Sequence, residues 1–183
     1  MLKRIGAHYI LVMMLVTRLI GSIGGTFTIY YVSVTLRLPP EVARDFYTAA
    51  GLAVVLAVAS TSVLALWETK CLRRVLGDLA KGNPVELPRA ISAGREAVRF
   101  CARHHVHEAL LVPLVTTIPV CAFIYWQHGV SSEVLVHISI ATFLGISASL
   151  LLSFFSIDRW MQPVIQYLLD EGVPIPYAQM PES

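Results

Sequence analysis

Four stretches of the chain stay apolar long enough to cross about 30 Å of hydrocarbon, a distance that takes about 20 helical residues. They cover residues 9–34, 47–66, 110–126 and 134–154. The second and fourth contain no Asp, Glu, Lys or Arg, and the first is interrupted by Arg18 and loosened by Gly21, Gly24 and Gly25. A soluble helical bundle would carry a polar stripe along each helix. The second and fourth runs have no such stripe beyond Ser and Thr, which helix interfaces in lipid tolerate. Backbone groups in hydrocarbon must bond internally, so each stretch reads as a helix. The first runs well past the 7–15 residues of a signal-peptide core, and no Ala-x-Ala cleavage site follows it. Tyr30, Tyr31, Phe46, Tyr47, Trp67, Tyr125 and Trp126 mark the ends of the spans as interfacial anchors.

Between and after the spans the pattern changes to a helical stripe. Apolar residues recur at positions 71, 72, 75, 76 and 79, and again at 160, 161, 164, 165 and 168. Leu72 aligns with Met161, Val75 with Val164, Leu76 with Ile165 and Leu79 with Leu168. One extra residue in the second copy brings Gly82 opposite Gly172 and Pro84 opposite Pro174. A Gly followed closely by Pro ends a helix, with Gly at the C′ position. The chain thus reads as an all-α polytopic membrane bundle, with four transmembrane helices forming two repeated hairpins. A short cytoplasmic amphipathic helix follows each hairpin. The first module covers residues 1–88, with its cytoplasmic helix at 68–82. The second covers 89–183, with cytoplasmic helices at 89–107 and 158–171 and a tail to the end.

Composition and charge sharpen this picture. The 183 residues are 56% hydrophobic and 14% charged, with a mean hydropathy of +0.67. Soluble proteins carry about 25% charged residues, and a nucleic-acid binder needs a dense basic face, so nucleic acid is not an expected partner. The cations are unevenly placed. Lys3 and Arg4 precede the first span, and Lys70, Arg73, Arg74, Lys81, Arg89, Arg95, Arg99 and Arg103 fill the connection between the second and third. The outer segments carry only Arg37 and Arg44, beside Glu41 and Asp45. The positive-inside rule therefore puts both termini in the cytoplasm. The corresponding location is a bacterial inner membrane.

Candidate chemistry is sparse. Arg18 is the only charge inside an apolar run. It can snorkel from one turn inside the cytoplasmic face, serve as a ligand or relay group, or pack between helices. His104, His107 and Glu108 share one helix face at i, i+3 and i+4 and could hold a metal. The plainer reading is a polar collar where the third span enters the membrane. Haem in a four-helix bundle needs facing histidines; His8 and His107 lie near one membrane face and His128 and His137 near the other, but three of the four sit at helix ends or in a loop and none lies mid-span. Cys71, Cys101 and Cys121 form neither a disulfide framework nor a CxxC site. No GxSxG, P-loop, GxGxxG or HExxH motif is present, so no catalytic residue, cofactor or metal is expected.

The segment Arg159-Trp-Met-Gln-Pro-Val-Ile-Gln-Tyr-Leu-Leu-Asp-Glu-Gly-Val-Pro-Ile resembles the membrane region of bacterial and mycobacterial six-span class III adenylate/guanylate cyclases. There, a helix with a Pro-Val step and a Gly/Pro break leaves the fourth span. Thr17-Arg18-Leu19-Ile20-Gly21 resembles the opening of those first spans, with Arg18 standing where the family would have Asn. Related modules occur in membrane sensor kinases. The resemblance implies a sensor or anchor region, with a third hairpin, a HAMP relay and a cyclase domain lying beyond this chain. It also implies a homodimer formed through that effector region. Arg18, Trp160, Pro163, Val164 and Gly172 are the candidate signal-coupling residues. The expected partners are the lipid bilayer and an apolar or lipid ligand. The alternative is a free-standing four-helix membrane protein that binds haem or transports a small substrate.

Overall fold

A computed structural model describes residues 7–175. Lys3, Arg4 and the tail 176–183 lie outside the described residues. Among the described residues six helices follow in order: α1 (Ala7–Thr35), α2 (Pro40–Glu68), α3 (Lys70–Ala80), α4 (Leu87–Val115), α5 (Thr117–His128) and α6 (Ser132–Asp170). No strand occurs among the described residues. Among the described residues four helical stretches are long and apolar enough to cross a membrane: His8–Thr35, Pro40–Glu68, Leu87–His128 and Ser132–Asp170.

Two boundaries differ from the sequence reading, for one reason. That reading separates a cytoplasmic helix at 89–107 from a span at 110–126, yet α4 runs unbroken through the polar run 103–108. No Gly or Pro interrupts that run, so polarity alone does not end the helix. The interruption falls at Thr116 instead. Pro119 lacks the N–H that would bond back to Val115, and Thr116 is distorted within the right-handed helical region, with φ −118° and ψ −74°. Likewise nothing breaks the backbone between 154 and 158, so the fourth span and the terminal helix form the single element α6. Pro163 lies inside it.

The chain forms two compact units. The first comprises Met1–Thr17, Val63–His105 and Phe154–Ser183. Its core gathers Ile10 and Met13 from α1, Leu72, Val75 and Leu76 from α3, Phe100 from α4, and Met161, Val164 and Leu168 from α6. Each such side chain contributes about 1.5–3 kcal/mol when fully buried. Tertiary contacts also complete the helix ends. Thr69, before α3, makes no side-chain cap, and the Glu96 carboxylate instead accepts the Leu72 N–H at 2.7 Å. The Arg73 guanidinium donates to the Leu66 carbonyl in the last turn of α2 at 2.9 Å, a favourable place for a cation.

α3 and α6 end alike. Gly82 and Gly172 have φ +72° and +75°, a conformation that costs other residues strain. Asn83 N–H reaches the Asp78 carbonyl and Val173 N–H the Leu168 carbonyl, both at 2.9 Å. This is the Schellman arrangement expected of Gly at C′.

The second unit comprises Arg18–Ser62 and Val106–Ser153. Its core is small: Val32, Val42, Phe46, Ala53, Val120, Ile124, Ile138 and Ala141. Leu19, Ile23, Leu52 and Phe143 point outward, Phe143 at 70% exposure. An outward apolar surface is what lipid would cover. α1 and α6 meet here through small residues. A Cβ on Gly24 would collide with Ser149 Oγ and the Gly145 carbonyl oxygen, and one on Gly145 would lie 2.7 Å from the Gly24 carbonyl oxygen. Hydroxyls bridge the contact, with Thr28 Oγ1 donating to the Ala141 carbonyl at 3.2 Å and Ser149 Oγ to the Gly21 carbonyl at 2.9 Å. Small residues and bridging hydroxyls are the means by which helices associate in lipid.

Candidate ligand-binding site

Within the second unit, α1 carries Arg18 and α4 carries Glu108. Arg18 Nη1 donates to Glu108 Oε1, and both side chains are 8% exposed. The Thr61 carbonyl on α2 lies 3.5 Å from Arg18 Nη2, a long contact. Arg18 therefore does not snorkel: its guanidinium turns to a carboxylate inside the unit. Two buried charges are costly to desolvate, and mutual pairing offsets that cost only while both partners remain.

The pair borders a cavity of about 130 Å³. Phe46, Ala53 and Val120 give it an apolar wall, while Thr28, Thr61 and Thr142 add polar side chains. Thr116 and Thr117, at the interruption between α4 and α5, line it as well. Irregular backbone at membrane depth is tolerated where it faces a cavity or is buried in protein. An apolar cavity of about 150 Å³ is large enough for benzene. The arrangement fits a ligand with a compact apolar body and one polar group directed at Glu108, Arg18 or a threonine hydroxyl.

The metal reading of His104, His107 and Glu108 does not gather into one site. His104 belongs to the first unit, fully buried, with Nδ1 2.7 Å from Glu68 Oε2 and its ring stacked on Phe100 at 5.0 Å. Arg103 Nε lies 3.7 Å from the other Glu68 oxygen, with its guanidinium over Trp67. Glu108 engages Arg18 in the second unit, and His107 is half-buried. Among the described residues no group of three or more His, Cys, Asp or Glu could hold a metal. His128 Nε2 lies 3.1 Å from Asp45, so one of the histidines considered for haem is engaged by a carboxylate.

The coupling residues all sit in the first unit except Arg18. The Tyr9 hydroxyl donates to the Trp160 carbonyl at 3.0 Å. Pro163 is exposed, Val164 is fully buried in the core, and Gly172 forms the cap described above. Sequence reasoning missed Glu108 as the partner of Arg18 and missed Glu68 altogether. The one available signal was that a lone intramembrane cation needs a carboxylate somewhere.

Comparison with family models, with curated proteins and with solved structures found no match to the chain.

Proposed function

We propose that this chain is the membrane-embedded sensor region of a signal-transduction protein, and that its signal is a small ligand entering the cavity beside Arg18 and Glu108. The observation that carries this reading is the coincidence of three features at one place: a buried ion pair, an interrupted helix and a cavity. A ligand that interacts differently with two arrangements of the pair shifts the balance between them. The two-hairpin layout, with cytoplasmic helices and both termini inside a bacterial membrane, belongs to this proposal. So does regulation of a class III cyclase by an effector beyond this chain, for which the resemblance of the 159–175 segment is the support. α6 is the natural lever, because one helix carries cavity residues such as Thr142 and core residues such as Val164.

The interrupted helix also supports a second reading, transport of a small substrate, because broken helices form midplane sites in transporters. Binding is tested with 4-fluorophenol, followed by ¹⁹F NMR on the full chain in lipid nanodiscs. A saturable shift above that of empty nanodiscs is expected, and it should vanish in Ala57→Leu, which fills the cavity. No saturable component in the wild type overturns both readings. Uptake of labelled phenol into proteoliposomes separates them, since a sensor binds without net flux. Reporter fusions after Ser183 and within 81–99 test the topology, and a signal from the outer side at either point rejects it.

A further inference from the structure

The first unit contains a second concavity, a groove of about 910 Å³ along α3 and the start of α4. Six cationic side chains line it: Lys70, Arg73, Arg74, Lys81, Arg89 and Arg103. Three carboxylates share the lining, Glu68, Asp78 and Glu96. Two of these are already committed to structural partners, Glu68 to His104 and Arg103 and Glu96 to the Leu72 N–H. Arg89 and Arg103 also face carboxylates, Glu86 at 3.6 Å and Glu68 at 3.7 Å, so Lys70, Arg73, Arg74 and Lys81 carry the groove's excess of positive charge over Asp78. Arg73 adds a second observation. Its Nη2 is taken by the Leu66 carbonyl, and its Nε is buried with no hydrogen-bond partner among the described residues. Such an orphan is costly unless a ligand or water satisfies it.

We propose that this groove binds phosphate groups, through charge-assisted bonds from Arg73, Arg74 and Lys81. Arginine forks match phosphate oxygens in pairs. The source favoured by the structure is an anionic lipid headgroup. Trp67 lines the same groove and is 64% exposed, and tryptophan settles at the headgroup level of a bilayer. A soluble phosphate would use the same donors. The site is independent of the cavity in the second unit, so either can fail without the other.

The test uses the full chain in detergent, with thermal unfolding followed during titration with dioctanoyl-phosphatidylglycerol, dioctanoyl-phosphatidylcholine or pyrophosphate. Arg74 and Lys81 are exposed, so Arg74→Gln/Lys81→Gln should fold normally. Each basic side chain near an anionic surface contributes about 1 kcal/mol, so the double variant should bind phosphatidylglycerol about thirtyfold more weakly. The control Arg37→Gln/Arg44→Gln, outside the groove, should bind as the wild type does. Stabilisation by phosphatidylglycerol that the groove variant loses supports the site with a lipid source. Stabilisation by pyrophosphate alone, lost in the same variant, supports it with a soluble source. Equal stabilisation by phosphatidylcholine, stabilisation that survives in the groove variant, or none from either anion overturns it.

Discussion

Arg18 and Glu108 stand ninety positions apart in the chain and meet as one buried ion pair, each side chain 8% exposed. Removing either partner takes the ion pair away from a charge that stays buried. Arg18→Gln or Glu108→Gln should each cost about 3–5 kcal/mol, read as a lower unfolding temperature in a fixed detergent. An apolar double variant, Arg18→Met/Glu108→Leu, should recover most of that loss, because it removes both desolvation costs together. Additive losses in the double variant would show that the two side chains act separately.

Helix contact in the second unit makes a sharper contrast between glycines. Gly145→Ala places a methyl group against Thr28 and the Gly24 backbone, and overpacking of this kind costs about 1–3 kcal/mol. At Gly51 a methyl group would meet open space, with nothing within 4 Å. Gly51→Ala should therefore gain up to about 1 kcal/mol from helix propensity alone. Thermal unfolding of the two variants side by side checks this, and a loss of equal size at both positions would contradict the close approach of α1 and α6.

What could be read in the sequence was what is local. The long apolar runs specify spanning helices because each run supplies its own hydrogen bonds. The caps at Gly82 and Gly172 are equally local, since the bonds Asn83–Asp78 and Val173–Leu168 close within six residues of chain. Pairing was not legible. His104 and Glu108 share a helix face by spacing, yet one meets Glu68 and the other Arg18. Which partner each side chain reaches depends on the rotation and crossing of neighbouring helices. Glu96 capping α3 is another such case, because nothing near Leu72 in the sequence announces it. The interruption at Thr116 was available from Pro119, but the polar run at 103–108 drew the boundary away from it.

Cys71 faces the basic groove, where cations would ordinarily favour a reactive thiolate. Burial instead pushes its thiol above the usual value, the Glu96 carboxylate adds to that shift, and Arg74 and Arg89 oppose it without reversing it. The midpoint of its alkylation rate against pH should lie above that of a free cysteine peptide. Iodoacetamide labelling in Cys101→Ser/Cys121→Ser protein measures it, and Glu96→Gln should lower the midpoint. A midpoint below that of the peptide would mean that the arginines dominate.

Pro163 and Val164 are neighbours with opposite roles in α6. Pro163 is exposed and cannot donate an N–H to the Arg159 carbonyl, so it weakens the helix locally. Val164 is 0% exposed and packs in the core of the first unit. Val164→Asp buries an unpaired carboxylate and should destabilise that unit by more than about 4 kcal/mol; any loss of signalling in this variant would follow from misfolding. Pro163→Ala restores a backbone donor and should leave expression and membrane insertion unchanged or raise the unfolding temperature. It is therefore the variant that isolates coupling. If motion of α6 carries the signal, Pro163→Ala should change the response of a fused output domain to 4-fluorophenol while ligand affinity by ¹⁹F NMR stays the same. An unchanged response, with the stiffer helix verified by slower amide hydrogen exchange around residues 159–163, would remove α6 as the lever.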